Sequence, residues 1–340
     1  MTTVDDETIE ELAQGRFGST FAQSFVFSTC HLMGESNYNP HIPFNTLVLL
    51  VSLFSLGHVL ASPIRNQNSI LSDKQVACFR PFTHYASAAY CPSQQIKNWT
   101  CGEDCRANPT FEVVDAGGDG AAVQFWYVGF DASLNTVVIG HQGTDRSRIQ
   151  AIITDAIFLP VPLRSKYFPD IPWSIKVHLG FKEEHAKTAE NILQAVTTTL
   201  MHHPQASVAV VGHSLGGALA LLDSLYLALH LAPTTKITMV GYGMPRVGND
   251  AFARYIDQHS TISLYHITNK KDPVPVMPAQ TLGFHHCNGE LHIREDDAWI
   301  SCPGHDNPSK ECSAGAVGIF GRNVKDHSGP YDGIWMGAAC

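Results

Sequence analysis

Apolar and polar positions along the second half of the chain alternate between two periods. From Phe181 to His203 apolar residues recur at Ala189, Ile192, Leu193, Val196 and Leu200, a helical stripe that Pro204 ends. Ser207–Val211 follows as a short β-branched run and therefore as a strand. Ala218–Leu231 is apolar on nearly every side, the pattern of a helix buried all round. Ile237–Tyr242 predicts another strand, Asp250–His259 a helix, and Ile262–Thr268 a further strand. Upstream, Val123–Asp131 and Thr136–Gly140 flank Ala132–Asn135, which predicts a hairpin. Strands alternating with helices predict an α/β fold, a mostly parallel sheet with helices on its faces.

One segment does not fit this alternation. Phe44–Ala61 is an apolar run, densest over Leu47–Leu56, that closes on Val59-Leu60-Ala61 before Ser62-Pro63. That reads as a secretory h-region and a small-residue cleavage site. It begins late and Arg16 is the sole basic residue before it, so a true start at Met33 is expected, with a retained signal anchor as the rival reading. The chain thus divides into residues 1–61, an extension with signal peptide, and 62–340, a single catalytic domain free of repeats or linkers.

Charge and cysteines narrow the class. The formal net charge is −9, from 22 basic and 31 acidic residues, with no basic cluster, which speaks against nucleic-acid partners. Six of the acidic residues precede Ala61, so the remaining domain is close to neutral. Loss of residues 1–61 removes Cys30 and leaves eight cysteines, an even number that suits disulfides in an oxidising compartment. Their spacing lacks the paired knuckles of a zinc site. Asn98-Trp99-Thr100 is a glycosylation sequon.

The chemistry centres on Gly212-His213-Ser214-Leu215-Gly216, set between a predicted strand and a buried helix. Glycines on either side of a serine permit the tight turn that pushes a nucleophilic hydroxyl out at a sheet edge. The chain order nucleophile, acid, histidine then places the acid after Ser214. Asp272, in a proline-braced loop behind Ile262–Thr268, fits better than Asp223, Asp250 or Asp257, which fall in or at the start of predicted helices. Among His285, His286, His292, His305 and His327, the last lies in a late polar loop and is the preferred base, although spacing alone leaves the others open. The backbone N–H of Leu215 would be one oxyanion donor and Thr144, after the strand Thr136–Gly140, the second.

These motifs, with Val177-His178-x-Gly180-Phe181, Tyr242-Gly243-x-Pro245-Arg246-Val247-Gly248-Asn249, Asp272-Pro273-Val274-Pro275 and Asp326-His327-x-x-x-Tyr331, resemble the fungal class 3 lipases and their feruloyl esterase cousins, basidiomycete members above all. The resemblance runs from about Cys78 to Cys340. It implies an α/β-hydrolase-like fold, a triad of Ser214, Asp272 and His327, an oxyanion hole of Thr144 and Leu215, and no metal or organic cofactor. It also implies a helical lid over Ser147–Phe158, where Ile149, Ile152 and Ile153 fall at helical spacing. The expected substrate is an acylglycerol ester at a lipid–water interface, with a soluble carboxylesterase, a feruloyl esterase and a non-catalytic lipid-binding protein as alternatives, and a monomer is expected. Family-like pairing joins Cys91 to Cys340, Cys101 to Cys105 and Cys302 to Cys312, and leaves Cys78 and Cys287 for an extra bridge. The chain departs from the family in Gln142 where arginine is usual, in a lid without tryptophan, and in Trp173-Ser174-Ile175-Lys176 where many members have a cysteine pair.

Overall fold

The computed structural model describes residues 67–145, 148, 149, 158–318 and 321–340. The proposed signal segment and Met33 lie outside them, as do Ile152 and Ile153 of the expected lid.

Thirteen strands are described: β1 Ser69–Ile70, β2 Phe111–Gly117, β3 Trp126–Asp131, β4 Thr136–His141, β5 Pro160–Pro162, β6 Lys176–His178, β7 Ser207–His213, β8 Ile237–Tyr242, β9 Gly248–Asn249, β10 Ile262–Asn269, β11 Phe284–His285, β12 Glu290–Ile293 and β13 Trp299–Cys302. Nine of them form one sheet in the order β1-β13-β12-β10-β8-β7-β4-β3-β2. Its five central strands run parallel, through β4–β7, β7–β8, β8–β10 and β10–β12. Its margins, β1–β13–β12 on one side and β2–β3–β4 on the other, are antiparallel. The sheet is therefore mixed, and the mostly parallel character expected from the alternation belongs to its centre. A second, four-stranded sheet, β11-β9-β6-β5, was not foreseen, because its strands are two or three residues long and carry no readable period.

The central strands read as continuous apolar runs because both faces are covered. Successive residues of β4 and β7 turn to opposite sides. Val137, Ile139, Val208 and Val210 enter one core with the helices Ala189–His202 and Leu215–His230, whereas Val138, Ala209 and Val211 enter the other with Phe79, Tyr85 and Trp299. The helix Leu215–His230 has Gly216 to Leu227 buried without interruption, which explains its missing polar face. The predicted helix Phe181–His203 is two, Leu179–Ala186 and Ala189–His202, broken at Lys187–Thr188.

Disulfides join Cys91 to Cys340, Cys101 to Cys105 and Cys302 to Cys312, as the resemblance implied. The Cys78–Cys287 bridge is not formed. Cys287 is a free thiol buried in the first core, while Cys78 adjoins Phe79 of the second, so the sheet stands between them.

Candidate active site

At the end of β7 the chain turns sharply into the helix Leu215–His230, and Ser214 at the turn has φ 58° and ψ −126°. A side chain in that region costs roughly 1–3 kcal/mol and persists only where its surroundings dictate it. Here they do. Ser214 N–H donates to the Tyr242 carbonyl (2.8 Å), and the Ser214 carbonyl accepts from Gly217 N–H (3.0 Å). The flanking glycines are required by contact: a Cβ on Gly212 would lie 2.2 Å from the Gly216 carbonyl oxygen, and one on Gly216 would lie 2.2 Å from that of His141.

β4 delivers the next piece. Gln142 takes the position where arginine is usual and clamps Phe125, its N–H donating to the Phe125 carbonyl (2.9 Å) and its Oε1 accepting from Phe125 N–H (2.8 Å). Gly143 then passes so close to the elbow that a Cβ there would lie 3.1 Å from Ser214 Cβ. Thr144 follows, buried, and lines the same cavity as Ser214 and Leu215. That cavity, about 280 Å³, has an apolar wall of Ile149, Phe158, Phe181, Val274 and Met277, with Glu184 among its lining residues. Ile149 is thus the one residue of the named lid triplet among the described residues, and it is buried.

Asp272 lies three residues beyond β10, held by its N–H to the Asn269 carbonyl (3.0 Å). Its Oδ1 accepts from Val274 N–H (2.8 Å) and its Oδ2 from His327 Nδ1 (2.8 Å). A carboxylate can only accept, so Nδ1 carries the proton and Nε2 is left as the basic nitrogen. His327 Nε2 is buried and has no hydrogen-bond partner among the described residues. The loop that presents it is tied down by Asn269 Nδ2 donating to the Asp326 carbonyl (2.8 Å). Asp272, His327 and Ser214 are each at most 4% exposed.

Three supports of this pair were not foreseen. His213 Nε2 donates to the His327 carbonyl (2.6 Å) while its Nδ1 accepts from Tyr90 hydroxyl (2.6 Å), so the residue before Ser214 is bonded to the backbone of His327. The Tyr331 hydroxyl donates to the same carbonyl (3.1 Å), and burial, with the Asp272 charge, pushes that phenol well above its usual range and keeps it a donor. Gly243, at φ 52°, leaves the room the pair occupies: a Cβ would lie 3.0 Å from Asp272 Oδ2 and from His327 Nδ1. The histidine of Gly-His-Ser and the final tyrosine of the His327 motif were visible as letters, but their partners lie 114 and 4 residues away and follow no period.

Val274 and Met277 reach the cavity on a loop that is anchored from behind. Arg246 Nη1 donates to the carbonyls of Val276 (2.5 Å) and Pro278 (2.8 Å), and its Nε to Asp306 (2.7 Å). His286 Nε2 donates to the Pro275 carbonyl (2.7 Å). Its ring stacks on His266 at 4.5 Å, and burial depresses both imidazoles, His286 to about 3 and His266 to about 4.

A strained serine turn, an imidazole whose Nε2 has no partner among the described residues, and an apolar cavity lined by Thr144, Ser214 and Leu215 can support acyl transfer. Comparison with known proteins agrees. Residues 138–282 match the family of class 3 lipases. A secreted mono- and diacylglycerol lipase of Malassezia globosa is 30% identical over 206 residues, 60% of this chain and 66% of that protein. The chain spans less than two thirds of the length of the first curated relatives it matches. Among solved structures, a triacylglycerol lipase whose catalytic centre is a serine-protease triad superposes with a TM-score of 0.69 at 26% identity, and lipase II of Rhizopus niveus with 0.69 at 28%. Each match covers 81% of this chain and 100% of the other. The chain belongs to the class 3 lipase family.

Proposed function

We propose that this protein is a secreted serine hydrolase that cleaves the carboxylic esters of acylglycerols. Ser214 Oγ attacks the ester carbonyl as His327 Nε2 takes its proton, Asp272 steadies the imidazolium through Nδ1, and Leu215 and Thr144 bind the oxyanion. His327 then protonates the departing alcohol. Water, deprotonated by the same nitrogen, releases the fatty acid and restores Ser214.

The single observation that carries this reading is the meeting of the strained Ser214 elbow with Thr144 and Leu215 in one apolar cavity, beside an Asp272–His327 pair bonded to the elbow through His213. The apolar wall of Phe158, Phe181, Val274 and Met277 suits an acyl chain better than a polar acid. Residues 62–340 act as a monomer at a lipid–water interface, Ser147–Phe158 being the lid. The three disulfides between described residues and the exposed Asn98 of the sequon fit export and N-glycosylation.

Ser214→Ala tests the mechanism: hydrolysis of an emulsified diacylglycerol should fall by roughly 10⁴-fold or more, with the circular-dichroism melt unchanged. Turnover retained by a clean sample would overturn it. Methyl ferulate assayed beside the acylglycerol decides the substrate class, because faster ferulate release would make the protein a feruloyl esterase.

A further inference from the structure

Beneath the site lies a second assembly of histidine and aspartate that the proposed reaction does not use. Asp223 is fully buried, and both of its oxygens are taken: Oδ2 by His141 Nε2 at 2.6 Å and Oδ1 by His185 Nε2 at 2.7 Å. Both histidines are 1% exposed. Burial alone would raise the Asp223 carboxyl, but the charges of His185 and His141 and their hydrogen bonds outweigh it and hold the group far below the usual range. The carboxylate is ionised, so both Nε2–H groups donate to it.

The three side chains come from the three elements that build the cavity. His141 ends β4, three residues before Thr144, and its carbonyl is the atom against which Gly216 closes. Asp223 sits nine positions along the helix that starts after Ser214, roughly 14 Å at 1.5 Å per residue. His185 follows Glu184 on the short helix Leu179–Ala186, whose Gly180, Phe181 and Glu184 line the cavity. As a source of stability such a cluster is poor, since well-packed apolar side chains of similar volume often do as well. What two short charge-assisted bonds supply is direction and distance.

We propose that Asp223, His141 and His185 form a positioning cluster for the hydrolysis: through His141 it sets the approach of the Thr144 loop to Ser214, and through His185 it sets the wall that receives the acyl chain. The two imidazoles of one carboxylate therefore govern different kinetic constants. His141 acts on the transition state, where a displaced oxyanion donor or a 1 Å misplacement costs about 10²-fold or more. His185 acts on ground-state binding.

The inference rests on the hydrolase reading above, and phosphonate labelling of the wild-type enzyme tests that reading alone. The experiment measures kcat and KM for p-nitrophenyl butyrate per phosphonate-titrated site in His141→Phe, His141→Gln, His185→Phe and His185→Gln. Titration counts folded sites only, so lost protein does not enter. His141→Phe should lower kcat roughly 10- to 100-fold with KM within about twofold, and His185→Phe should chiefly raise KM. The glutamine variants, which keep an N–H for the carboxylate, should restore each constant to within about threefold. If phenylalanine prevents folding, His141→Asn, whose amide is too short to reach Oδ2, carries the same kcat test. Labelled variants that melt lower but match the wild type in kcat and KM would overturn the proposal, as would glutamine variants no better than phenylalanine or asparagine.

Discussion

Two buried carboxylates in this protein, Asp272 and Asp223, bind imidazole and do opposite things with it. Asp272 takes one histidine, at Nδ1, and spends its other oxygen on Val274 N–H, which leaves His327 with a free Nε2. Asp223 takes two histidines, each at Nε2, and sits with no oxygen to spare between a strand and two helices. The residue types are the same, but the nitrogen chosen and the number of partners differ. One arrangement leaves a base, the other a tie.

The comparison breaks most sharply under the same substitution at both sites. Asp272→Asn should lower kcat by about 10³- to 10⁴-fold, because an amide no longer enforces the Nδ1–H tautomer, with little change in melting temperature. Asp223→Asn leaves two buried imidazoles without their anion. It should cost on the order of 3 kcal/mol, a fall of roughly 10 °C in the melt. Kinetics and calorimetry on the pair check both halves, and equal effects at the two sites would remove the distinction. Gly243→Ala sharpens the comparison next. A Cβ 3.0 Å from both bonded atoms at φ 52° should spread the Asp272–His327 pair, lowering kcat by about tenfold to 100-fold while leaving the Asp223 cluster and most of the stability untouched.

A smaller, graded effect distinguishes these charged assemblies from the neutral pair His266 and His286. Both imidazoles are depressed by burial to about 4 and about 3, below their unfolded value near 6.5. As pH falls from about 6.5 the unfolded chain takes up protons that the folded one refuses, so stability is full above that value and is lost progressively toward pH 4. Asp223 and Asp306, held low in the fold, begin to lose their contribution only as pH falls into the ordinary carboxylate range, about 4, where the unfolded chain takes up protons that the folded carboxylates refuse. Melting temperature should therefore decline between pH 6.5 and 4, and in His286→Gln, which keeps an N–H for the Pro275 carbonyl, the decline should be shallower. An identical slope in that variant would count against the assignment.

How much of this was legible in the sequence follows from the range over which each signal acts. The central strands and the helix after Ser214 were readable because their apolar runs are long and local. The small sheet was not, since strands such as Gly248–Asn249 owe their pairing to Val177 and His285 far along the chain. Within the site, Ser214 stood out because the elbow's sterics write glycine at fixed offsets. Both Asp272 and Asp223 follow Ser214, and loop context favours Asp272, yet nothing in the letters around Asp223 announces two histidines 82 and 38 residues away. His213, itself bonded to Tyr90, and Tyr331 support His327 through its carbonyl, a contact any residue's backbone could offer and so one that leaves no pattern. Asp223 remains the clearest lesson: a residue weighed as the catalytic acid turns out to be bonded as a brace.

The central claim is that the Asp272–His327 pair activates Ser214. It is tested most directly by treating the wild-type protein with a fluorophosphonate, locating the adduct by peptide mass spectrometry, and following ester hydrolysis in the same sample. The account predicts one adduct, on Ser214, formed in step with complete loss of turnover and slowed at least about 10²-fold in Asp272→Asn. Hydrolysis that survives full modification of Ser214, or an adduct on another residue that alone abolishes it, would contradict it.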